Sequence, residues 1–319
     1  MRILAGLLFL TAILITSCGD EFSGTIEEGD ISNFKRLLEE PIQSFQIDAD
    51  SGGRIVTPQN TILSFEPNSF VYSDNSIVNG QIEIQLLELL TKPEILLYGI
   101  QTSCNGKLIE SAGEVRVRAY QDGQQVFLRE NVSFSLFVDD PDPIEQAELF
   151  YSFSTNIPTG IDLDSIGNAD WIEVDQDSSS QSNVSRSEAM PSQQIGWIAG
   201  YESFPDNLGW INVDYFNKLP QSGSLLIETP DQYDNSNTRI YLYFHDLNSV
   251  LEMWFFNNRY FTKGPIGETV SIISVTSFGG DNFKYSETEV LISGDETIQI
   301  EPEFRSHDDI VEAIMNIDN

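Results

Sequence analysis

Few residues of this sequence have the chemistry of a nucleophile or of a transition-metal ligand. Its 319 residues include only two cysteines and two histidines, which are Cys18, Cys104, His245 and His307. A Ser-His-Asp or Cys-His site would need one of these histidines, and neither stands beside a nucleophile in a recognisable context. The sequence also lacks a glycine-rich phosphate loop, a histidine pair at metal spacing and a Gly-x-Ser-x-Gly elbow. We therefore predict a protein without catalytic activity and without a cofactor or a bound metal.

Carboxylates are the one reactive group that the chain has in excess. There are 50 Asp and Glu residues against 16 Lys and Arg, which gives a net charge of −34. Glycoside hydrolysis needs only two facing carboxyl groups, so a carbohydrate-active or other hydrolytic enzyme stays as the alternative function. The same charge repels nucleic acid and anionic lipid surfaces, so we expect no nucleic-acid partner.

An acidic loop stiffened by proline, with the sequence Asp139-Asp140-Pro141-Asp142, is a possible oxygen-ligand set. Carboxylates brought together in a loop can bind Ca²⁺, but this spacing does not match an EF-hand. The sequence favours a solvated acidic loop over a metal site.

A run of aromatic residues predicts a β-hairpin. Residues 253–256 read Met-Trp-Phe-Phe, two asparagines follow, and residues 259–261 read Arg-Tyr-Phe. Asparagine tolerates the positive φ that a tight turn requires. Because apolar groups lie on both faces, either both faces are buried or one is an aromatic platform for sugar rings or a partner chain, with Trp254, Phe256 and Tyr260 as the ligand residues. The pattern favours burial.

The elements that position these residues are predicted to be β-strands. Alternating runs such as Glu114 to Ala119 and Asn131 to Val138 have one apolar and one polar face, and turn residues separate them. We predict two antiparallel β-sandwich domains, at residues 45–175 and 195–305, joined by a Ser/Gln-rich linker at 176–194. Tyr151 to Val174 fits either domain.

The ends of the chain follow other patterns. Met1-Arg2 and the apolar run from Ile3 to Ile15 are typical of a secretory signal peptide, because a spanning helix needs roughly 20 apolar residues. Residues 18–44 are expected to form a tether with a short helix that Asp30 caps and Pro41 ends. Residues 306–319 predict a C-terminal helix capped by Ser306.

The segment Ile15-Thr16-Ser17-Cys18 resembles the lipobox of bacterial lipoproteins. The resemblance implies cleavage between Ser17 and Cys18 and lipid attached to Cys18, so that membrane lipid is the expected partner; a plain signal peptide is the alternative. If Cys18 is acylated, Cys104 has no disulfide partner, and a buried inert thiol is expected. The acidic residues after Cys18 resemble the export signals of surface lipoproteins in Bacteroidota-type bacteria.

Spaced strand and turn residues in the first half resemble a ZU5-type β-sandwich. They are Gly53 to Pro58, Ile62 to Phe70, Gly80 to Ile84, Leu97 to Gly99 and Leu108 to Gly113. This resemblance implies a structural or adhesive module. The self-cleaving His-Phe-Ser motif of some ZU5 domains is not matched, since Ser152 stands where His would be needed. Residues 265–302 resemble the last strands of an immunoglobulin-like or transthyretin-like module.

These observations together predict a lipid-anchored protein of the bacterial envelope, at the outer membrane, and the resemblance to export signals implies exposure at the cell surface. Its expected role is structural, adhesive or the binding of a protein or glycan partner.

Overall fold

The computed structural model describes residues 29–140, 143, 147–152, 171–174, 185–192, 196–216, 221–230 and 232–318. These residues form a mainly β structure built from several antiparallel sheets, which confirms the predicted class. No helix among them is long and apolar enough to span a bilayer. The predicted signal peptide and Cys18 lie outside the described residues.

The first half of the chain begins with a short helix and continues mainly as strands. In order these are α1 (Ser32–Arg36), β1 (Gln43–Asp48), β2 (Gly53–Val56), β3 (Ile62–Phe65), β4 (Phe70–Val71), β5 (Gln81–Leu89), α2 (Lys92–Leu97), β6 (Ser103–Cys104), β7 (Lys107–Gln121), β8 (Gln124–Leu128), β9 (Ser135–Asp139), β10 (Glu148–Ser152) and β11 (Ile172–Glu173).

The second half is a further series of strands that ends in a helix. These elements are β12 (Ser185–Ser192), β13 (Gly196–Ser203), β14 (Gly209–Phe216), β15 (Ser222–Glu228), β16 (Thr238–Phe244), β17 (Val250–Glu252), β18 (Trp254–Phe256), β19 (Arg259–Pro265), β20 (Thr269–Ser277), β21 (Phe283–Leu291), β22 (Glu296–Gln299), β23 (Glu303–Arg305) and α3 (His307–Met315).

Two sheets enclose the first core. Sheet I has the order β1-β5-β7-β14-β10-β11, with β4, β6 and β8 at its margins, and sheet II has the order β12-β13-β9-β3-β2. Alternate residues of β7, including Val115 and Val117, pack against Leu136 and Val138 of β9 across the interior. The period-2 pattern of these strands explains why one face of each sheet closes this core.

The strand pairing places the boundary between the two sandwiches later in the chain than the sequence predicted. The prediction placed residues from 195 onward in the second sandwich, but β13 pairs with β9 in sheet II and β14 pairs with β7 and β10 in sheet I. Residues 196–216 therefore complete the first sandwich. The short strands β10 and β11 also lie in sheet I, so the described parts of 151–174 belong there as well. The predicted linker at 176–194 is wrong in part, because it contains β12, which pairs with β13 in sheet II. The polar composition of this stretch gave no indication of the return, because pairing partners distant in sequence leave no local pattern.

The second sandwich consists of two smaller sheets. Sheet III has the order β18-β19-β15-β22 and sheet IV has the order β17-β16-β20-β21-β23. Ile227 and Tyr260 from sheet III pack with Leu242 and Ile272 from sheet IV. All strand pairs here are antiparallel except β15 and β22, which are parallel.

A third apolar layer joins the two sandwiches, and we call it the junction core. It lies between the outer face of sheet I and the outer face of sheet IV, and the three helices contribute to it. Leu89 and Trp210 come from sheet I, and Tyr243 and Phe283 come from sheet IV. The sheets are thus stacked in the order II, I, IV, III, and the two middle sheets are covered on both faces.

The two terminal helices are close to their predictions. Asp30 accepts a hydrogen bond from the Ser32 backbone at 2.8 Å, but α1 ends at Arg36, well before Pro41. Ser306 caps α3 by accepting a hydrogen bond from the Asp309 backbone at 3.2 Å, as expected.

The middle helix, α2, was not predicted. Thr91 and Glu94 form a capping box at its start, with Pro93 in the first turn. That pattern is visible in the sequence, although the helix has only six residues.

Candidate functional site

The predicted hairpin is present at residues 254–261, and it forms the edge of sheet III. Asn257 and Asn258 both adopt positive φ, at 51° and 60°, in the turn between β18 and β19. This is the left-handed backbone that asparagine tolerates better than most residues. The turn chemistry read from the sequence is therefore correct.

The two faces of this hairpin have different environments. Tyr260 is buried in the second sandwich, where its hydroxyl donates to the Thr238 carbonyl at 3.2 Å and burial raises its pKa. Trp254 and Phe256 point the other way and are 61% and 65% exposed. The preference for burial on both faces was wrong for these two residues, and the platform residues predicted together are divided between the core and the surface.

The outer side of sheet III, which we call the aromatic face, extends across neighbouring strands. Register places Trp254 opposite Phe261 and Phe261 opposite Leu226. The Trp254 and Phe261 rings meet edge to face with centroids 6.1 Å apart, and Phe261 is 38% exposed. Trp254 and Phe256 are two residues apart on one strand, so their Cα atoms are separated by about 7 Å.

Polar side chains form the adjoining row of the aromatic face. Arg259 lies opposite Phe256, and its guanidinium is 3.5 Å from the Glu228 carboxylate. The Gln299 amide donates to the same carboxylate at 3.5 Å. Planar donors and acceptors therefore stand directly beside exposed aromatic rings.

A cleft of about 360 Å³ opens beside this edge strand. It lies where the chain crosses from β17 in sheet IV to β18 in sheet III, with Met253 between them. Trp254 and Phe255 line one side, and the polar side chains Gln101, Asn235 and Glu252 line the rest with other residues of β16. The cleft thus combines one exposed ring with groups that can form hydrogen bonds.

Charged groups in the cleft are held in place by their partners. Arg239 Nε is 3.0 Å from Glu252 Oε1, and its Nη1 donates to the Thr238 carbonyl at 3.0 Å and to the Asn235 carbonyl. Burial raises the pKa of Glu252, and Arg239 and Lys35 oppose that rise. Burial lowers the pKa of Lys35 to about 8. Arg239 is therefore a fixed donor at the cleft wall.

Sequence reasoning did not identify Arg239, Glu252 or Phe261 as site residues. Arg239 and Glu252 lie in separate strands and become neighbours through the pairing of β16 with β17. Phe261 had a visible signal, since it follows the aromatic pattern across the turn. The two charged residues had none.

The other predicted positions lie away from this site. Cys104 is buried, as expected, and its Sγ accepts a hydrogen bond from the Asn105 side-chain amide at 3.5 Å. His245 approaches Ser271 Oγ at 3.2 Å, and His307 approaches the Phe34 carbonyl at 3.2 Å. Ser17 and Cys18 lie outside the described residues.

The acidic loop is described only in part, because Pro141 and Asp142 fall outside the described residues. The Asp139 carboxylate accepts a hydrogen bond from the Asn60 amide at 2.9 Å, and the Asp140 backbone donates to the Ala199 carbonyl at 3.1 Å. Within the described ranges no group of three or more His, Cys, Asp or Glu residues could hold a metal ion.

A second group of acidic residues is buried on the junction side of sheet I. Glu114 and Asp214 are both 0% exposed, and neither Glu114 oxygen has a hydrogen-bond partner among the described residues. The Asn212 amide donates to Asp214 Oδ2 at 2.6 Å. Burial raises the pKa of both carboxyl groups well above the ordinary range, and for Glu114 the nearby Asp214 adds to the rise. Because both are inaccessible, this pair cannot contact a substrate in the observed conformation.

No family model matches this sequence, and no curated protein is significantly similar to it. The mainly β sandwich class is established by the structure, while the likeness to ZU5 domains stays a prediction.

Proposed function

We propose that this chain is a lipid-anchored protein of the bacterial cell envelope that binds a glycan on the aromatic face of sheet III. The observation that carries the proposal is the exposure of Trp254 and Phe256 on an edge strand, next to the polar row of Arg259, Glu228 and Gln299. Large exposed aromatic groups beside ordered polar groups are typical of a binding surface.

The chemistry of a sugar ring suits this surface. Its C–H groups present an apolar side that packs on an aromatic ring, while its hydroxyls need donors and acceptors at the edge of that ring. Trp254 and Phe256 supply the rings in this proposal. Arg259 and Glu228 form an ion pair beside these rings and offer a donor and an acceptor for the sugar hydroxyls.

Binding without catalysis is the favoured form of this function. Hydrolysis of a glycosidic bond requires two facing carboxyl groups. Among the residues described as lining the neighbouring cleft there is one, Glu252, and it is paired with Arg239. A hydrolytic enzyme remains the alternative, and hydrolysis of a bound glycan by the purified protein would support it.

The decisive experiment measures binding of soluble polysaccharides to the purified protein by affinity electrophoresis and calorimetry. Trp254→Ala and Phe256→Ala should each weaken binding by about tenfold or more, since stacked aromatic anchors dominate such interfaces. Phe304→Ala is the matched control, because Phe304 is 70% exposed on sheet IV and far from this face in the strand order. Unchanged binding in Trp254→Ala would refute the glycan surface.

The anchor requires a separate test. Mass spectrometry of the mature wild-type protein should find Cys18 as the first residue and carrying diacylglyceryl mass. A chain with two or more acyl groups is held durably at a bilayer, because each buried methylene contributes about 0.8 kcal/mol. A mature chain that begins elsewhere with unmodified Cys18 would leave the glycan surface untouched but would refute lipid anchoring.

A further inference from the structure

A pocket of about 320 Å³ concentrates positive charge in this acidic protein. Lys35, Arg36 and Arg116 line it together with Ser32, Leu38, Glu40, Tyr98 and Trp210. The whole chain has 16 Lys and Arg residues and a net charge of −34, so three cations around one small pocket are a marked local exception. Such a pocket attracts small anions even though the protein as a whole repels polyanions.

One of these cations already binds a carboxylate. The Arg116 side chain is 4% exposed, and its Nη2 donates to Glu40 Oε2 at 2.7 Å. The guanidinium also lies over the Trp210 ring, 5.4 Å from its centroid. A buried, stacked guanidinium has a fixed orientation, and its planar donors match the two oxygens of a carboxylate.

The Glu40 carboxylate differs from Arg116 in how firmly it is held. Its side chain is 36% exposed, and the residue lies in the connection between α1 and β1, outside both elements. The connection is attached beside Glu40 by the Tyr98 hydroxyl, which donates to the Glu39 carbonyl at 3.0 Å. Glu40 can therefore swing into solvent while the backbone stays in place, which would free the donors that face it.

Two further features favour an external anion. Trp210 is 7% exposed, and its Nε1–H has no hydrogen-bond partner among the described residues, so the pocket wall contains a buried donor. Lys35 is largely desolvated, which lowers its pKa to about 8, and an added negative charge would stabilise its ammonium form. Other charges also act here: Asp30 lies near Arg36, Glu252 lies near Lys35, and Arg239 lies near both Asp30 and Lys35. On the other side of the pocket, Glu40 and Glu94 lie near Tyr98.

We propose that this pocket binds the carboxylate group of a ligand, which replaces the Glu40 carboxylate on Arg116 while Lys35, Arg36 and Trp210 surround it. The Glu40 side chain is then an internal competitor that occupies the site in the ligand-free protein. This binding site is separate from the aromatic face and does not depend on glycan binding there.

The test uses the purified full chain with ¹⁵N-labelled tryptophan, and follows the four indole N–H signals. Trp210→Phe assigns the Trp210 signal. Acetate is the carboxylate probe, and acetamide is its uncharged control. Acetate should shift the Trp210 signal saturably, and acetamide should not. The same titration with glucuronate and with N-acetylglycine distinguishes an acidic sugar from a peptide C-terminus as the natural source.

Three variants make the test specific. Glu40→Gln should tighten acetate binding by about tenfold, because it removes a competitor that is present at high effective concentration. Arg36→Ala should weaken binding by about fivefold, and since Arg36 is exposed the fold should be kept. Arg54→Ala changes an equally exposed arginine on β2 and should bind as the wild type does.

Several outcomes would overturn the proposal. Acetate should be titrated into Glu40→Gln up to about 100 mM, which covers dissociation constants into the millimolar range. The absence of a saturable shift over this range would exclude the site. Equal shifts in wild type and Arg36→Ala would show an unspecific effect of salt. Phosphate binding as tightly as acetate would show a general anion site in place of a carboxylate site.

Discussion

The junction side of sheet I and the aromatic face each contain side chains that strand alternation does not predict there. The junction side of sheet I buries Glu114, Asp214 and Arg116, whereas the outer side of sheet III exposes Trp254 and Phe256. Alternation along a strand predicts polar residues in water and aromatic residues in the core. The comparison teaches that a strand pattern identifies the two faces but not which of them is covered.

The physical reason lies in the stack of four sheets. Sheets I and IV are covered on both faces. Polar side chains that face the junction, such as Glu114 and Asp214 of sheet I, are therefore buried and must find partners or protons there. Sheet III is last in the stack, and its outer side faces no further sheet among the described residues. Burial of Glu114 destabilises the junction, and exposure of Trp254 contributes little to stability.

Phe283→Ala should have the largest effect on stability. Phe283 is 0% exposed in the junction core, and its ring meets that of Phe34 edge to face with centroids 5.5 Å apart. Removing a buried aromatic side chain costs about 3–5 kcal/mol, through lost burial and an unfilled cavity. Urea denaturation followed by circular dichroism measures this loss. A loss below about 1 kcal/mol would mean that the junction core does not hold the sandwiches together.

Glu114→Gln should have an intermediate effect, and the size of that effect depends on pH. The pKa of Glu114 is raised in the folded protein, so the protonated form favours folding and stability falls as pH rises above the unfolded pKa. The variant cannot ionise. It should therefore be more stable than the wild type at pH 8, on the order of 1–3 kcal/mol, and equal to it near pH 4.

The pH dependence is the specific part of this prediction, because burial and the nearby Asp214 carboxyl both raise the pKa of Glu114. Denaturation midpoints measured from pH 4 to pH 8 should diverge steadily between variant and wild type. Glu303→Gln, at an exposed position on β23, provides the control and should follow the wild type throughout. Parallel curves for Glu114→Gln would contradict burial of an ionisable pair.

Trp254→Ala should have the smallest effect on stability. The ring is 61% exposed and makes one edge contact with Phe261, so the expected loss is under about 1 kcal/mol. The same denaturation assay measures it. A loss as large as that of Phe283→Ala would place this ring in a core and would remove the contrast between the two regions.

Local patterns in the sequence predicted local structure well. The Asn257-Asn258 turn, the Ser306 cap and the shared core face of Val115 and Val117 in β7 all correspond to what the structure contains. Each of these depends on neighbours within a few residues, where propensity and side-chain chemistry act directly. The capping box of the unpredicted helix α2, formed by Thr91 and Glu94, is also visible in the sequence.

Relations between distant segments were not predictable in the same way. Nothing near Trp254 shows that sheet III ends the stack, and nothing near Glu114 shows that a second sandwich covers it. The pairing of Arg239 with Glu252 likewise depends on the register of β16 and β17. These features follow from how layers are stacked, which a single strand does not encode.

The pairing of β7 with β14 also affects how this chain reaches its native state. The middle of sheet I is complete only when residues 107–121 have paired with residues 209–216. Sheet II likewise is complete only when β9 has paired with β13. Such high contact order slows folding, since a long loop has to close before these contacts form. During synthesis from the amino end, β7 is therefore complete before β14 exists. The first sandwich cannot finish folding until more than half of the chain has been made.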